Sequence, residues 1–131
     1  MMYKVEAIIR EEKLEDVKDA LHEIEVNGVT VYQVMGFGTQ RGYTTVVRGQ
    51  EIDVMMLPKV KLEIVVSSEE WKEKTIQKIR EVAYTGEVGD GKIFTYQITD
   101  AVKIRTGETG YDALQSTSER PKPEQKPKKK K

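Results

Sequence analysis

The feature that most constrains this chain is a change in the spacing of its apolar residues, from every second position to helical spacing and back, twice over. Met2 to Ile9 puts Tyr3, Val5, Ala7 and Ile9 on one side and Lys4 and Glu6 on the other, the period-two pattern of a strand. Leu14, Val17, Leu21 and Ile24 then recur at helical spacing across Glu12 to Glu25, and Asn27-Gly28 supplies the stop signal. Val29 to Met35 returns to period two and ends at Gly36. Lys59 to Val66 alternates again, with Val60, Leu62, Ile64 and Val66 on one face. A second helix follows, opened by a capping box of Ser67 and Glu70 and carrying Trp71, Ile76, Ile79, Val82 and Ala83 as its apolar stripe. Phe94, Tyr96 and Ile98 alternate with Thr95, Gln97 and Thr99 in a fourth strand, and Ala101 to Thr106 is expected as a short fifth.

The order β-α-β-β-α-β predicts an α+β, ferredoxin-like fold, an antiparallel sheet with both helices on one face. The other face is then uncovered, and apolar residues expected on it, Val65, Phe94 and Val102, point to self-association. Residues 37–58 hold Gly38, Gly42 and Gly49, scattered charge and no clear period. Connections that long inside a compact domain are usually functional or disordered, so this one is read as a mobile recognition arm, with a β-hairpin extension as the alternative. Residues 1–115 are expected to form one domain. Ser116 onward, with Pro121, Pro123, Pro127 and a run of four lysines, has the composition of a disordered basic tail.

Charge and composition exclude several classes. The formal net charge of the 131 residues is zero, but Ser116 to Lys131 holds seven basic and two acidic residues, leaving 15 basic and 20 acidic in the body. An acidic body is a poor platform for nucleic acid. There is no cysteine, hence no disulfide and no thiolate metal site. No apolar run approaches the ~20 residues of a membrane span and the first residues lack a signal-peptide plan, so a cytoplasmic location is expected. The single histidine, His22, supports no metal cluster, and no Ser/His/Asp set can be assembled.

Thr85-Gly86-Glu87-Val88-Gly89-Asp90-Gly91-Lys92 is the stretch with chemistry in it. Three glycines in six positions leave backbone N–H groups uncovered, which suits a concave anion site ending in a lysine. Gly86, Gly91 and Lys92 fit part of the P-loop spacing, but Ile93 stands where that motif needs a hydroxyl, and the loop opens a strand rather than a helix. A tight connection capping the preceding helix is the other reading. Lys103 and Arg105, two apart on the expected fifth strand, share a side and would add two cations, enough for a nucleotide polyphosphate. Gly36-Phe37-Gly38-Thr39-Gln40-Arg41-Gly42 is a second glycine-rich segment, suited to close approach of a ligand or to a hinge.

Together with Leu57 to Val66 and Ile104-Arg105-Thr106-Gly107-Glu108, these two segments resemble the PII nitrogen-regulatory signal-transduction proteins over roughly Met1 to Leu114. The resemblance implies a homotrimer that binds ATP or ADP in clefts between subunits, with 2-oxoglutarate beside Mg-ATP, and a long T-loop over 37–58 that docks on targets such as ammonium channels. It assigns Gly89, Asp90, Gly91 and Lys92 to the phosphates, with Lys103 and Arg105 reaching from the other side. Gly36 and Gly38 would let the backbone close on the nucleotide, and Thr30, Ile64 and Val65 would line the base pocket. Gln40 would meet nucleotide, magnesium and 2-oxoglutarate, with Lys59 steadying it, and Arg48 would enter a channel mouth. Ile52 and Gln50 stand where some members carry a modified tyrosine or serine, so neither modification is expected. Met35, Thr39 and Lys103 also depart from common family residues.

The resemblance thus implies a cytoplasmic nucleotide sensor, not an enzyme, recruited to the inner membrane surface by a transporter partner. A slow nucleotide hydrolase and an RNA-binding module of the same strand order are the rival classes.

Overall fold

A computed structural model of the chain describes residues 1–39, 45–47, 50–52 and 54–114, without the side chains of 38, 39, 45–47, 50–52, 54 and 55. Six strands and two α-helices are formed by the described residues: β1 (Met2–Arg10), α1 (Leu14–Glu23), β2 (Val29–Thr39), β3 (Thr45–Val47), β4 (Gln50–Ile52), β5 (Val54–Val66), α2 (Glu69–Ala83) and β6 (Lys92–Ile98). The main sheet has the order β2-β5-β1-β6 with every neighbouring pair antiparallel. That is the ferredoxin-like arrangement the spacing predicts, with two helices.

Its core follows from the alternation. Val5, Ala7 and Ile9 of β1 and Val60, Leu62, Ile64 and Val66 of β5 meet Val17 and Leu21 of α1 and Ile79 and Ala83 of α2, all buried. A strand places successive side chains on opposite faces, so one set of odd and even positions fills this core and the complementary set faces outward.

Helix ends differ in detail from the sequence expectation. Ser68, not Ser67, caps α2: its Oγ accepts from the Trp71 N–H at 3.2 Å, which moves the helix start one residue on. A 3-10 turn over Glu11–Lys13 precedes α1, which stops at Glu23, ahead of the Asn27-Gly28 signal. Val26 N–H donates to Leu21 C=O at 2.8 Å and Glu25 N–H to His22 C=O at 2.9 Å, a Schellman closure in which Glu25 takes the left-handed position, φ 67°. Buried Val26 lies in the same core cluster as Leu21, which offsets the strain of a non-glycine residue there.

Two further differences concern the strands. β2 does not end at Gly36: the ladder with β5 continues through Gly36↔Leu57, Phe37↔Met56, Gly38↔Met55 and Thr39↔Val54, and β3 pairs with β4 beyond it. Part of 37–58 is therefore regular hairpin. Pro58 is accommodated because it lies one residue beyond the last β1–β5 pair, Arg10↔Lys59. The expected fifth strand over Ala101–Thr106 is a single bridge, Val102↔Thr109, closed by a turn in which Lys103 N–H donates to Glu108 C=O and Gly107 N–H to Lys103 C=O. Consequently Lys103 and Arg105 do not share a strand face. Ile104 between them is fully exposed.

Candidate functional site

At one end of the sheet the glycine loop is tied down by its own Asp90 and by side chains from two distant strands. Asp90 accepts from the N–H groups of Thr85 at 2.8 Å and Gly86 at 2.9 Å, from the Thr85 hydroxyl, and from Arg10 Nε at 3.0 Å. Arg10 also donates through its Nη2 to Val88 C=O at 3.0 Å, and Lys59 Nζ donates to Gly89 C=O at 2.6 Å. Burial opposes the Asp90 charge, yet the bonds from the Thr85 side chain and backbone, Gly86 and Arg10 outweigh it and hold the carboxyl well below the usual carboxylate range. Burial, and then the neighbouring Arg10 charge, lower the Lys59 pKa. Charge-assisted bonds of this kind are the strong ones, and they span 30 to 80 residues of sequence.

The Asp90 carboxylate is turned into the loop and orders it. The N–H groups of Thr85 and Gly86 are taken by Asp90 and that of Glu87 by Thr85 Oγ1, which leaves an anion the amides from Val88 onward. Gly91 has a separate role. At φ 104°, a Cβ there would fall 1.7 Å from the Ile8 carbonyl oxygen, so the loop closes onto β1 only because the position is glycine. Gly36, by contrast, has ordinary room: a Cβ would sit 3.5 Å from Lys59 Cγ. Lys92 opens β6, exposed, opposite Ile8.

Pairing places Arg10, Lys59 and Gly36 on the outward sheet face with Lys92, all at the loop end. Thr30 and Val65 are on the same face at the other end, where Thr30 lies opposite Glu63 and Val65 opposite Lys4. Both line a cleft of 680 Å³ with Lys4, Glu63, Trp71 and Tyr111. Ile64 does not join them: it is 1% exposed in the core, since it has the opposite strand parity to Val65. β6 carries the chain from Lys92 to Ile98, ~20 Å at the rise of a strand, before Lys103 and Arg105 are reached. The two cations therefore belong to the far end and do not meet the loop within one chain. Lys103 Nζ is 3.7 Å from Glu108. Gln40, Arg48 and the 116–131 segment lie outside the described residues, and the side chains of Gln50 and Ile52 in β4 lie outside those described.

Between the two ends the outward face is a network of charge and aromatic rings. Lys4 is 3.9 Å from Glu6 and 3.8 Å from Glu63, while Lys61 is 3.6 Å from Glu63. Lys4 stands over the Tyr96 ring and Lys61 over Tyr32, each at 4.6 Å. Tyr32 donates to Glu63 at 3.1 Å, and hydrogen bonding to Glu63 and Glu6 raises the Tyr32 and Tyr96 pKa values respectively. Phe94 and Tyr96 remain about half exposed. Val102 is also exposed, but beyond the last strand.

Arg10 is the residue that sequence reasoning missed. Nothing local marks it; only the register Ile8↔Lys92 shows that the end of β1 abuts the loop. No group of three His, Cys, Asp or Glu able to hold a metal occurs among the described residues, and no helix of the described residues is long and apolar enough to cross a membrane.

Fold and site together define a ferredoxin-like domain with a glycine loop clamped at one end of the outward sheet face. The family described as Nitrogen regulatory protein P-II matches residues 2–108. Nitrogen regulatory protein P-II 1 of Methanothermobacter thermautotrophicus is 55% identical over 113 residues, covering 86% of this chain and 97% of the relative. Nitrogen regulatory protein P-II of Rhodospirillum rubrum is 51% identical, covering 86% of this chain and all of the relative. Among solved structures, the GlnK-ATP complex of B. subtilis superposes with a TM-score of 0.71 at 36% identity, covering 86% of this chain and 94% of that one. The chain belongs to the nitrogen regulatory protein P-II family.

Proposed function

We propose that this protein is a nucleotide-sensing regulator that binds ATP or ADP in crevices between the copies of a homotrimer. The observation that carries the reading is the split of the candidate residues between the two ends of one uncovered sheet face. Gly36, Gly38, Gly89, Gly91 and Lys92 make the loop half; Thr30, Val65, Lys103 and Arg105 make the far half. Each half is incomplete for a triphosphate, and a neighbouring copy laid on the same face supplies the other. A solved relative, B. subtilis GlnK, is in complex with ATP.

In this reading the loop half receives the phosphates on the amides from Val88 onward and on Lys92, with Arg10, Asp90 and Lys59 holding the loop in its receiving shape. Such an arrangement costs little reorganisation when the anion arrives. Lys103 and Arg105 of the neighbouring copy close on the phosphates, while Thr30 and Val65 flank the base. Magnesium would come with ATP, held by phosphate oxygens and Gln40. Lys59 and Gln40 would take 2-oxoglutarate. The β2–β5 extension and Arg48 would transmit nucleotide state to a membrane transporter such as an ammonium channel, since a ligand biases a two-state arm by its differential contacts with the two states. The role is regulatory and not enzymatic, and the named relatives are regulatory proteins.

Calorimetry with ATP and with ADP, each with and without 2-oxoglutarate, tests this. One saturable site per chain is expected, and no heat with either nucleotide overturns the reading.

A further inference from the structure

Four aromatic rings of this chain already hold a cation. Lys4 stands over Tyr96 and Lys61 over Tyr32, while Lys72 lies over Tyr3 and Lys74 over Trp71. A ring covered in this way has given up one π face. Tyr111 is different. It is 61% exposed, and among the described residues no cation stands over its ring and no group hydrogen-bonds its hydroxyl. Phe37, Tyr84 and Phe94 are exposed too, but none of them lines the 680 Å³ cleft that holds Thr30 and Val65, and Tyr111 does. Tyr111 also borders a 400 Å³ cleft beside Met1 and Ile98, but neither Thr30 nor Val65 lines that one.

The local chain fixes where Tyr111 sits. Gly110 N–H donates to the Ala101 carbonyl at 3.0 Å and to Asp100 Oδ1 at 3.2 Å, and Ala101 N–H donates to the same carboxylate oxygen at 2.8 Å. At φ 61°, Gly110 takes the left-handed turn that opens the 3-10 helix Gly110–Leu114. These bonds join the two ends of the 101–110 loop, which carries Lys103 and Arg105, and so place Tyr111 at its base. One compact unit therefore holds both cations and, directly after them, an open aromatic residue.

The cleft suits a flat heterocycle. Its volume falls within the ~300–1,000 Å³ typical of small-molecule sites. Val65 and Trp71 give it apolar wall, and Thr30 and Glu63 give it polar edge. Trp71 packs against the core and bears Lys74, so of the two aromatic residues in the cleft Tyr111 is the one with a face to offer.

We propose that Tyr111 stacks on the purine base of the nucleotide, while Lys103 and Arg105 of the same copy reach the phosphates. The inference rests on the nucleotide reading above and adds the group that tells a nucleoside polyphosphate from a bare polyphosphate. An aromatic ring on the face of a base contributes to binding whatever the hydrogen-bonding pattern of the base edge, so this residue favours a base by its area.

Calorimetry on the full chain and on its Tyr111→Phe and Tyr111→Ala variants tests this. Tyr111 lies outside the core cluster, so neither substitution is expected to disturb folding. Tyr111→Ala should weaken ATP and ADP binding roughly tenfold, whereas Tyr111→Phe, which keeps the ring, should stay within about twofold of the unaltered chain. In displacement titrations inorganic tripolyphosphate should bind all three chains alike, since it has no base to stack. Unchanged ATP affinity in Tyr111→Ala overturns the proposal and leaves the nucleotide site in place. So does a Tyr111→Phe chain as weak as the alanine variant, and so does a loss of tripolyphosphate in step with ATP, which would make Tyr111 a support for Lys103 and Arg105. No heat with either nucleotide in the unaltered chain overturns this inference together with the reading beneath it.

Discussion

The glycine loop and the 103–108 turn both present cations, Lys92 and Lys103, but only the loop is tied to distant strands. The loop is held from inside, by Asp90 on Thr85 and Gly86, and also from outside, by Arg10 and Lys59 through contacts that close long stretches of chain. The turn is held from inside: Thr106 and Glu108 bond each other, and Lys103 pairs with Glu108 five residues on. Long-range ties fix a position relative to the whole sheet, whereas local ties fix only a shape. The loop is therefore fixed relative to the sheet, and the turn is a compact unit in which Lys103 pairs with Glu108.

The sharpest way to break this contrast is to add a methyl group to each region at positive φ. Gly91→Ala is expected to cost on the order of 3 kcal/mol in urea unfolding, because strain and the clash with the Ile8 oxygen add. Gly107→Ala, at φ 76° with nothing within 4 Å of the new Cβ, should cost only about 1 kcal/mol. Equal costs would remove the distinction. Gly36→Ala, which has room for its Cβ, should fold normally yet weaken nucleotide binding roughly tenfold, about 1.4 kcal/mol; unchanged binding would free that position from the site.

Acid offers a second cut. Asp90 has a folded pKa below its unfolded value, about 3.9, so its contribution to stability is present above that pH and is lost as pH falls toward the folded value. Asp90→Asn should flatten this part of the acid profile and cost about 1–2 kcal/mol at pH 7. An unaltered acid profile would mean that the loop does not depend on its clamp. The smallest effect is expected at the turn: Glu108→Gln should change stability by at most about 0.5 kcal/mol, while ATP binds a few-fold more tightly because Lys103 gives up one competing partner.

These differences also explain what could be read from residues in order. Each strand of the main sheet and both helices write their burial into neighbouring positions, as Val5, Ala7 and Ile9 do, and were legible. Val102, Lys103, Ile104 and Arg105 alternate just as well, but strand structure needs a partner, and among the described residues only Thr109 pairs with this stretch. Adjacent serines let the α2 cap slip by one position, and the closure of α1 rests on Glu25, a residue no turn rule favours. The parity of β5 already separated Ile64 from Val65, a consequence the family resemblance obscured. The clamp of Arg10 on Asp90 was invisible because its ends are 80 residues apart.

The central claim is that one nucleotide site takes its loop from one copy and its turn from the next. Co-expressing a Lys92→Ala chain with an Arg105→Ala chain tests it directly, each variant alone being expected to bind ATP poorly. Averaged over all the closed trimers of a random equal mixture, about one site in four should pair an unaltered loop with an unaltered turn and regain full affinity by calorimetry. Recovery of that fraction is the predicted result; mixed assemblies that bind no better than either variant alone would contradict the account.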